Sequence, residues 1–299
     1  MLSEQLKEIF LKSKDPFTDI LGQESAKQGI KSALLMNRHI IIVGAPGIGK
    51  TTLAKNVAKL LPDLEIVEGC SYHCTPSNPI CPSCKQKTKN KTAKLQGVRR
   101  FIRIQGSPDL TVEDLLGDID PIKALKFGPL SLEAFTPGKI FKANNGVLFF
   151  DELNRCPEKL QNALLQVLEE GKATIGSYDV DFDVSFIFVG TMNPEDTSTE
   201  KLSDVLLDRF DVIYMDYPES IEIEKKIVTM KGKKIANVSD ELLNLMVYFT
   251  RLLRSDEKLE KKPSVRASIG LYERSQSNAL LKGRKNIVFE DIKEVLVSV

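Results

Sequence analysis

The sequence contains no tryptophan, only two histidines and almost no net charge. Its 42 Lys and Arg residues against 41 Asp and Glu residues leave a formal charge of +1, so no overall attraction to nucleic acid or to an anionic membrane is expected. No stretch approaches ~18 uninterrupted apolar residues, and the first residues lack the basic start and apolar core of a secretory signal. These absences predict a chain without a membrane span, and we expect it to be soluble and cytoplasmic.

The length and the order of apolar runs predict two domains. A chain of 299 residues is long enough for a core of about 200 residues and a smaller second domain. Five apolar runs alternate with helical segments, which predicts a three-layer α/β sandwich with a five-stranded parallel sheet over residues 1–217. Past Pro218 four helical patterns follow, and they predict an all-α domain over residues 218–299. The five runs lie at residues 39–43, 101–104, 147–150, 186–189 and 212–215.

A glycine-rich loop joins the first of these runs to a helix predicted to begin at Thr52. The glycines let backbone N–H groups turn toward a β-phosphate, and the helix N-terminus adds partial positive charge. Lys50 is expected to reach the β- and γ-phosphate oxygens, and the Thr51 hydroxyl to ligate Mg²⁺. The loop therefore predicts a site for ATP and Mg²⁺. It reads Gly44-Ala45-Pro46-Gly47-Ile48-Gly49-Lys50-Thr51 and matches the pattern G-x-x-x-x-G-K-[ST].

Polar residues follow the third and fourth apolar runs. Asp151 and Glu152 are expected at the carboxyl end of a strand, where open α/β sheets bind ligands. Asp151 is expected to hold Mg²⁺ through its water shell, and Glu152 to polarise the attacking water. Asn193 follows the next run, and its amide is expected beside Glu152. The alternatives are a solvated acidic turn and an ordinary Asn-Pro turn.

Together these motifs resemble the AAA+ ATPases, and within them the group of magnesium-chelatase ATPase subunits and MoxR-like ATPases. The resemblance covers nearly the whole chain. It implies Mg²⁺-dependent ATP hydrolysis by a ring of identical subunits, expected to be a hexamer, that remodels a partner protein. That partner would be a chelatase complex or a protein with a von Willebrand factor A (VWA) domain.

Several segments relate the chain to one branch of this group or the other. A Cys-rich insertion at residues 68–104 and an insertion of the helix-2 type at residues 107–140 favour the chelatase branch, because both resemble segments of chelatase subunits. Residues 151–171 look more like the MoxR branch. Residues 172–184 alternate around a Gly-Ser turn, as expected for the group's pre-sensor hairpin.

The resemblance also implies roles for four further residues. Residues 17–24 resemble the group's entry segment, so Ile20 and Leu21 are implied as adenine contacts. Arg209 stands in a segment like the arginine finger, which reaches the γ-phosphate held by a neighbouring subunit. Arg266 stands at the start of a helix like the sensor-2 helix. The alternatives are a surface ion pair of Arg209 with Asp208 or Asp211, and another arginine in place of Arg266, namely Arg251, Arg254 or Arg274.

Four of the five cysteines, Cys70, Cys74, Cys81 and Cys84, are clustered, and this clustering predicts a metal site rather than disulfides. A structural Zn²⁺ in Cys₄ geometry is the leading interpretation, because four protein ligands leave no open position for catalysis. A His73 ligand in place of one thiolate, an iron–sulfur cluster and free thiols are the alternatives.

A basic run follows the cysteines. Residues 85–103 contain five Lys and three Arg without an acidic residue, but only Phe101 adds an aromatic ring and no nucleic-acid motif accompanies the run. We therefore interpret it as a solvated loop, with an acidic protein partner as an alternative. A nucleic-acid motor is accordingly only the second functional hypothesis, and an ATP-binding regulator without turnover is the third.

Overall fold

The computed structural model describes residues 2–86, 91–129, 131–175, 180–194 and 202–298. The chain divides into two compact units. None of the helices within the described ranges is long and apolar enough to cross a lipid bilayer. The predicted domain division between residues 217 and 218 stays a proposal. The first unit comprises Met1–Asp19, Ser25–Val43 and Lys50–Tyr214, and the second Ile20–Glu24, Gly44–Gly49 and Met215–Val299.

The regular elements alternate along the first unit, and helices dominate the second. The strands are β1 His39–Val43, β2 Leu64–Val67, β3 Thr92–Leu95, β4 Phe101–Gln105, β5 Gly117–Ile119, β6 Phe135–Pro137, β7 Gly146–Asp151, β8 Lys172–Ile175, β9 Val180–Asp183, β10 Phe186–Met192 and β11 Phe210–Tyr214. The helices are α1 Leu2–Lys12, α2 Glu24–Leu35, α3 Lys50–Leu60, α4 Pro82–Gln86, α5 Val112–Leu116, α6 Pro121–Phe127, α7 Lys139–Lys142, α8 Glu158–Glu170, α9 Asp204–Leu207, α10 Ile221–Lys231, α11 Asp240–Ser255, α12 Val265–Leu281 and α13 Phe289–Val295.

A five-stranded sheet in the order β11-β1-β10-β7-β4 organises the first unit. All four neighbouring pairs are parallel. Its central strands are buried along nearly their whole length, because helices cover both faces of such a sheet and apolar, β-branched residues fill both. The predicted three-layer α/β sandwich with a five-stranded parallel sheet is confirmed.

Three two-stranded antiparallel ladders accompany the sheet: β2–β3, β5–β6 and β8–β9. The segment predicted as a pre-sensor hairpin contains β8 and β9, while residues 176–179, including its Gly-Ser turn, lie outside the described residues. Part of the range drawn as the insertion 68–104 forms β4 of the central sheet, and α5, β5, α6 and β6 all lie within 107–140.

Four helices, α10 to α13, form the body of the second unit. The predicted all-α C-terminal domain, which we call the lid, is confirmed. The helices α10, α11 and α12 each begin after a serine whose side chain accepts a backbone N–H of the first turn, which satisfies a donor that the helix itself leaves unpaired. Inside this unit the buried Glu224 carboxylate accepts two bonds from Arg254, at 2.6 and 2.7 Å, and one from Ser268 at 2.7 Å. These bonds offset the desolvation of the charges.

The basic run is not the solvated loop that we predicted. Arg100 is only 1% exposed, and its guanidinium donates to the Asn145 and Pro62 carbonyl oxygens, each at 2.7 Å. Burial lowers the pKa of Arg100 to about 10, so the side chain stays charged at neutral pH. The prediction was wrong because carbonyl groups that are distant in sequence satisfy this cation. Residues 87–90 of the run lie outside the described residues.

We predict that His39 makes the stability of the protein depend on pH. Its Nδ1 accepts the Phe188 N–H at 3.3 Å, and burial, helped by the charge of Arg38, lowers its pKa from 6.5 to about 4. The unfolded state therefore binds the proton first as pH falls below about 6.5, and the free energy of unfolding should fall by up to about 1.4 kcal/mol per pH unit. Urea unfolding between pH 7.5 and 5 measures this slope.

The matched variant is His39→Asn, whose side-chain oxygen can accept the same N–H but does not titrate. The slope should be shallower in this variant than in the wild-type protein. Identical slopes in the two proteins would contradict the assignment.

Candidate active site

The carboxyl ends of β1, β10 and β7 lie side by side. We call the side of the sheet where the strands end its carboxyl edge, and the side where they begin its amino edge. Val43 pairs with Met192 in register, and Gly190 pairs with Phe150. Because the strands are parallel, the residues that end or follow them are gathered at the carboxyl edge. The predicted residues Asp151, Glu152 and Asn193 all lie there.

The Asp151 carboxylate is held by two neighbours. Its Oδ1 accepts a hydrogen bond of 2.7 Å from the Thr191 hydroxyl, and its Oδ2 lies 2.6 Å from the Arg103 guanidinium. The Asp151 side chain is 15% exposed, whereas Thr191 is fully buried. The acid is thus fixed from the protein side and remains accessible to a cation at the sheet edge.

Glu152 leaves the strand through a left-handed backbone conformation, with φ of 57°. Its backbone N–H donates to the Thr191 hydroxyl at 3.0 Å. Its carboxylate accepts a hydrogen bond of 2.9 Å from Gln105 and lies 3.2 Å from Arg155. Such a conformation is uncommon for a residue other than glycine and is often found at functional sites. Glu152 therefore presents a carboxylate that is oriented by an amide and a guanidinium.

Our sequence analysis missed Thr191, Arg103 and Gln105 as residues of this site. Gln105 ends β4, so the argument from strand ends that found Asp151 would also have found it. Thr191 is a polar side chain just after the apolar run at residues 186–189 and inside β10, a position that signals a buried hydrogen bond. Arg103 belongs both to the predicted strand at residues 101–104 and to the basic run, and neither prediction gave its side chain a partner.

The phosphate loop lies in the second unit together with the start of α12. Gly47 has φ of +76° and Gly49 has φ of +104°. A Cβ atom on Gly47 would lie 2.8 Å from the Ser264 hydroxyl and 3.2 Å from Cγ of Arg266, and one on Gly49 would lie 3.4 Å from Ile20. The loop therefore requires glycine for both its conformation and its close packing. Two predicted partners, Ile20 and Arg266, contact this loop, and Leu21 follows Ile20 in the same unit.

The residue types present fit ATP and Mg²⁺. The helix α3 begins at Lys50, so Lys50, Thr51 and Thr52 form its first turn, where N–H groups point toward an anion. The Thr51 hydroxyl and the Asp151 carboxylate are oxygen ligands of the kind that Mg²⁺ prefers. The remaining predicted loop residues, Gly44, Ala45, Pro46 and Ile48, connect β1 to this helix together with the two glycines.

Arg209 lies at the amino edge of the sheet, where the strands begin. It immediately precedes β11, in which Phe210 pairs with His39 and Tyr214 with Val43. Arg209 is therefore level with Arg38, five residue steps or about 17 Å of strand from the level at which β1 ends.

The side chain of Arg209 pairs with an acid other than the two we had considered. Its Nε donates to Glu169 of α8 at 2.6 Å. Asp211 instead accepts a bond of 2.7 Å from Arg38. The spacing argument considered only acids that are close in sequence, whereas Glu169 is close only in the fold.

The other lid arginines have contacts of their own. Arg251 and Arg254 bind the Glu224 carboxylate, at 3.3 and 2.6 Å, and Arg274 donates to Ser298 at 2.9 Å. Of the four arginines weighed for the sensor-2 position, Arg266 is the one that lies against Gly47.

The four clustered cysteines form a second candidate site. Their sulfur atoms lie within 4.8 Å of one another. Burial raises the pKa of the Cys84 thiol to about 11. A hydrogen bond with the Cys70 sulfur raises the pKa of the Cys81 thiol to about 12. Among the described residues, His73 is not part of this group of possible metal ligands. The three sulfurs of Cys74, Cys81 and Cys84 are buried, and that of Cys70 is half-buried.

The fold and this site define an AAA+ ATPase. The family model "ATPase family associated with various cellular activities (AAA)" matches residues 81–212, which contain β7, β10 and the acidic pair. A second family model, "Magnesium chelatase, subunit ChlI", matches residues 16–96, which contain the phosphate loop.

Proteins similar in sequence identify the branch of the AAA+ ATPases to which this chain belongs. A magnesium-chelatase subunit ChlI homologue of Methanocaldococcus jannaschii is 30% identical over 94% of this chain and 83% of its own length. The magnesium-chelatase subunit ChlI of a Synechocystis species is 27% identical over 94% and 86% of the two chains. The chain belongs to the ChlI family of magnesium-chelatase subunits, and its function is Mg²⁺-dependent ATP hydrolysis by an AAA+ motor subunit of this type.

The fold is shared with a chain in a structure of the complex between subunits BchI and BchD of magnesium chelatase. That chain is 21% identical to this one, with a TM-score of 0.56 over 94% of this chain and 93% of its own length. The predicted resemblance to the chelatase group is confirmed.

We predict that the Thr191 hydroxyl supports ATP hydrolysis by holding the acidic pair. The change Thr191→Val removes the donor to Asp151 and the acceptor of the Glu152 N–H, so the rate of ATP hydrolysis should fall about 10- to 100-fold. The unpaired N–H should also lower the free energy of unfolding by about 1–3 kcal/mol. Thr191→Ser keeps the hydroxyl and is the control. Equal rates for the valine and serine variants would contradict this role.

Proposed function

We propose that this ATPase works as a closed ring of identical subunits, expected to be a hexamer, in which each nucleotide site is shared by two neighbours. Within one subunit, Lys50 and the loop bind the phosphates, and Thr51 and Asp151 hold Mg²⁺. Glu152 polarises the attacking water, with Asn193 beside it. Arg209 of the adjacent subunit supplies positive charge to the γ-phosphate, where negative charge grows in the transition state.

The position of Arg209 carries this proposal. The phosphate loop follows β1 at its carboxyl end, whereas Arg209 stands at the level of the amino end of the same strand. A separation of about 17 Å along the strand exceeds the reach of an arginine side chain toward its own subunit's phosphates. A head-to-tail arrangement would bring this edge to the site of the next copy, and such an arrangement forms a ring when the rotation between copies closes.

We further propose that Arg266 senses the γ-phosphate and that Ile20 and Leu21 flank the adenine. The contacts of Gly47 with Arg266 and of Gly49 with Ile20 support both roles. A nucleotide bound in the loop would alter its contacts with α12 directly, since Arg266 packs on the loop backbone.

For the partner, we propose a chelatase complex, because the ChlI and BchI relatives carry the name of magnesium chelatase. A VWA-domain protein acted on in MoxR fashion is the alternative. The proposed cofactors are ATP and Mg²⁺ at the phosphate loop and a structural Zn²⁺ at the four cysteines. Nucleic acid is not a proposed ligand, and a cytoplasmic location remains a prediction.

Mixing two inactive variants tests the shared site. Alone, Glu152→Gln should bind ATP but lose the water-activating carboxylate, with a fall in rate of about 10²- to 10⁴-fold. Arg209→Ala alone should fall by about 10³- to 10⁵-fold. In rings assembled from an equimolar mixture, about one site in four has an intact Glu152 and a neighbouring intact Arg209. ATP turnover should therefore return to roughly a quarter of the wild-type rate.

Arg99→Ala, which removes an exposed arginine elsewhere on the first unit, is the control and should be active alone. If the mixture of Glu152→Gln and Arg209→Ala stays as inactive as each variant, then the site is not shared through Arg209. Full activity of Arg209→Ala alone would exclude the finger role altogether.

A second prediction concerns the partner. Glu152→Gln with ATP should hold the ring in its ATP-bound form and retain the remodelled protein, whereas Lys50→Ala should not reach this form. Affinity purification of both variants from the source cell, followed by mass spectrometry, should enrich a chelatase subunit only with Glu152→Gln. Selective enrichment of a VWA-domain protein without a chelatase subunit would favour the alternative, and equal recovery with both variants would contradict an ATP-dependent partner.

A further inference from the structure

Four sulfur atoms converge between β2 and the end of α4. All four lie within 4.8 Å of one another, and those of Cys70 and Cys81 are 3.8 Å apart. A Zn²⁺ ion with thiolates at about 2.3 Å has sulfur–sulfur edges of about 3.8 Å, because the corners of a tetrahedron lie about 1.63 bond lengths apart. The side chains are therefore arranged as the corners of a coordination sphere for one ion.

The same distances decide between a single ion and an iron–sulfur cluster. In a cluster the cysteine sulfurs bind different iron atoms that are bridged by sulfide, so ligands of separate irons lie farther apart than ligands of one ion. Four sulfurs that are all within 4.8 Å of one another fit a single ion. Since four protein ligands also fill a tetrahedral shell, the site is structural.

Backbone groups support one of the sulfurs. The N–H groups of Ile80 and Cys81 lie 3.2 and 3.4 Å from the sulfur of Cys74, so this sulfur accepts two hydrogen bonds. Bonds of this kind orient a ligand and stabilise its thiolate form. They are also local, because the turn between the second and third cysteines folds these donors back onto the sulfur.

The loop between the first two cysteines contacts the β8–β9 hairpin. The Tyr72 ring stacks on Phe182 of β9 at 5.8 Å and packs against Phe141 at 5.2 Å. The Tyr72 carbonyl accepts a bond of 3.0 Å from Asn144, whose side-chain oxygen in turn accepts the Ser185 N–H at 3.1 Å. A constraint on this loop is thus transmitted to β9 and to the start of β10.

We propose that these four thiolates bind one Zn²⁺ ion, and that the ion fixes the loop carrying Tyr72 as a support for the β8–β9 hairpin. The loop supports the hairpin at the amino edge of the sheet. Asp151 stands at the opposite end of β7, about 16 Å of strand from the residues next to Asn144. Loss of the ion is therefore expected to loosen the hairpin while ATP binding persists. This proposal can consequently be tested independently of the shared nucleotide site.

Metal analysis of the full chain tests the ion. Protein purified without a polyhistidine tag should contain about one Zn²⁺ per chain by plasma mass spectrometry, without acid-labile sulfide. Protein refolded with Co²⁺ should show the charge-transfer and intense d–d absorption of a tetrahedral thiolate site. Cys84→Ser should reduce the zinc content at least about tenfold. Cys156→Ser, at a buried cysteine outside the cluster, should keep it.

Hydrogen exchange tests the support. Peptides that cover β9 should exchange faster in Cys84→Ser than in the wild-type protein, while those of α11 in the lid should not change. Tyr72→Ala should give the same faster exchange at full zinc content, because it breaks the link and leaves the ligands intact. This variant separates the support from any general failure of Cys84→Ser to fold.

Four results would overturn the proposal. Zinc far below one ion per chain in the wild-type protein would exclude the site, and iron with labile sulfide would replace the ion by a cluster. Unchanged exchange of β9 in Tyr72→Ala would exclude the support. ATP binding is measured in parallel with a fluorescent nucleotide, and its loss in Cys84→Ser but not in Cys156→Ser would show that the ion maintains the nucleotide site itself.

Discussion

The parallel register of β1, β10 and β7 is the constraint on which the catalytic edge depends. It places Thr191 beside Asp151, so that one hydroxyl donates to the carboxylate and accepts the N–H of Glu152. A slip of one residue would turn Thr191 to the other face of the sheet and leave the Glu152 N–H unpaired. The burial of both faces of these strands opposes such a slip, because it would exchange the side chains that fill each side. Packing in the core thus determines the geometry of the acidic pair.

The same register determines which residues lie at the carboxyl edge of the sheet and which lie at its amino edge. The carboxyl edge carries the acids and the amide of Asn193. The amino edge carries Arg209 before β11 and Asn144 before β7. The Asn144 side chain donates to the Tyr72 carbonyl of the cysteine loop and accepts the N–H of Ser185 before β10. Strands of about five or six residues hold these two edges roughly 17–20 Å apart. The architecture therefore keeps chemistry at one edge and contacts with the hairpin, and by our proposal the neighbouring subunit, at the other.

The sheet and the lid could be predicted because burial on both faces produces continuous apolar runs, and because each helix of the lid keeps its own periodicity. The phosphate loop and the acidic pair could be predicted because strand ends are visible in the sequence. Arg100, Arg103 and Glu169 could not, because their partners are distant in sequence and no local pattern encodes them. For the cysteines, spacing left several metals open. The distances among the sulfur atoms depend on how the loop folds, and only those distances favour a single ion.

The ion pair between Arg209 and Glu169 does not oppose a role for this arginine in a neighbouring site. The two side chains are 46% and 38% exposed, and exposed pairs of this kind contribute only about 0.2–1 kcal/mol. A finger that accelerates hydrolysis by about 10³ to 10⁵ stabilises the transition state by roughly 4–7 kcal/mol. The free energy lost when Arg209 releases Glu169 is therefore a small fraction of the transition-state stabilisation gained by contact with a γ-phosphate. In an isolated subunit the pair keeps the guanidinium in place, and in the proposed ring the greater charge of the phosphate displaces the carboxylate.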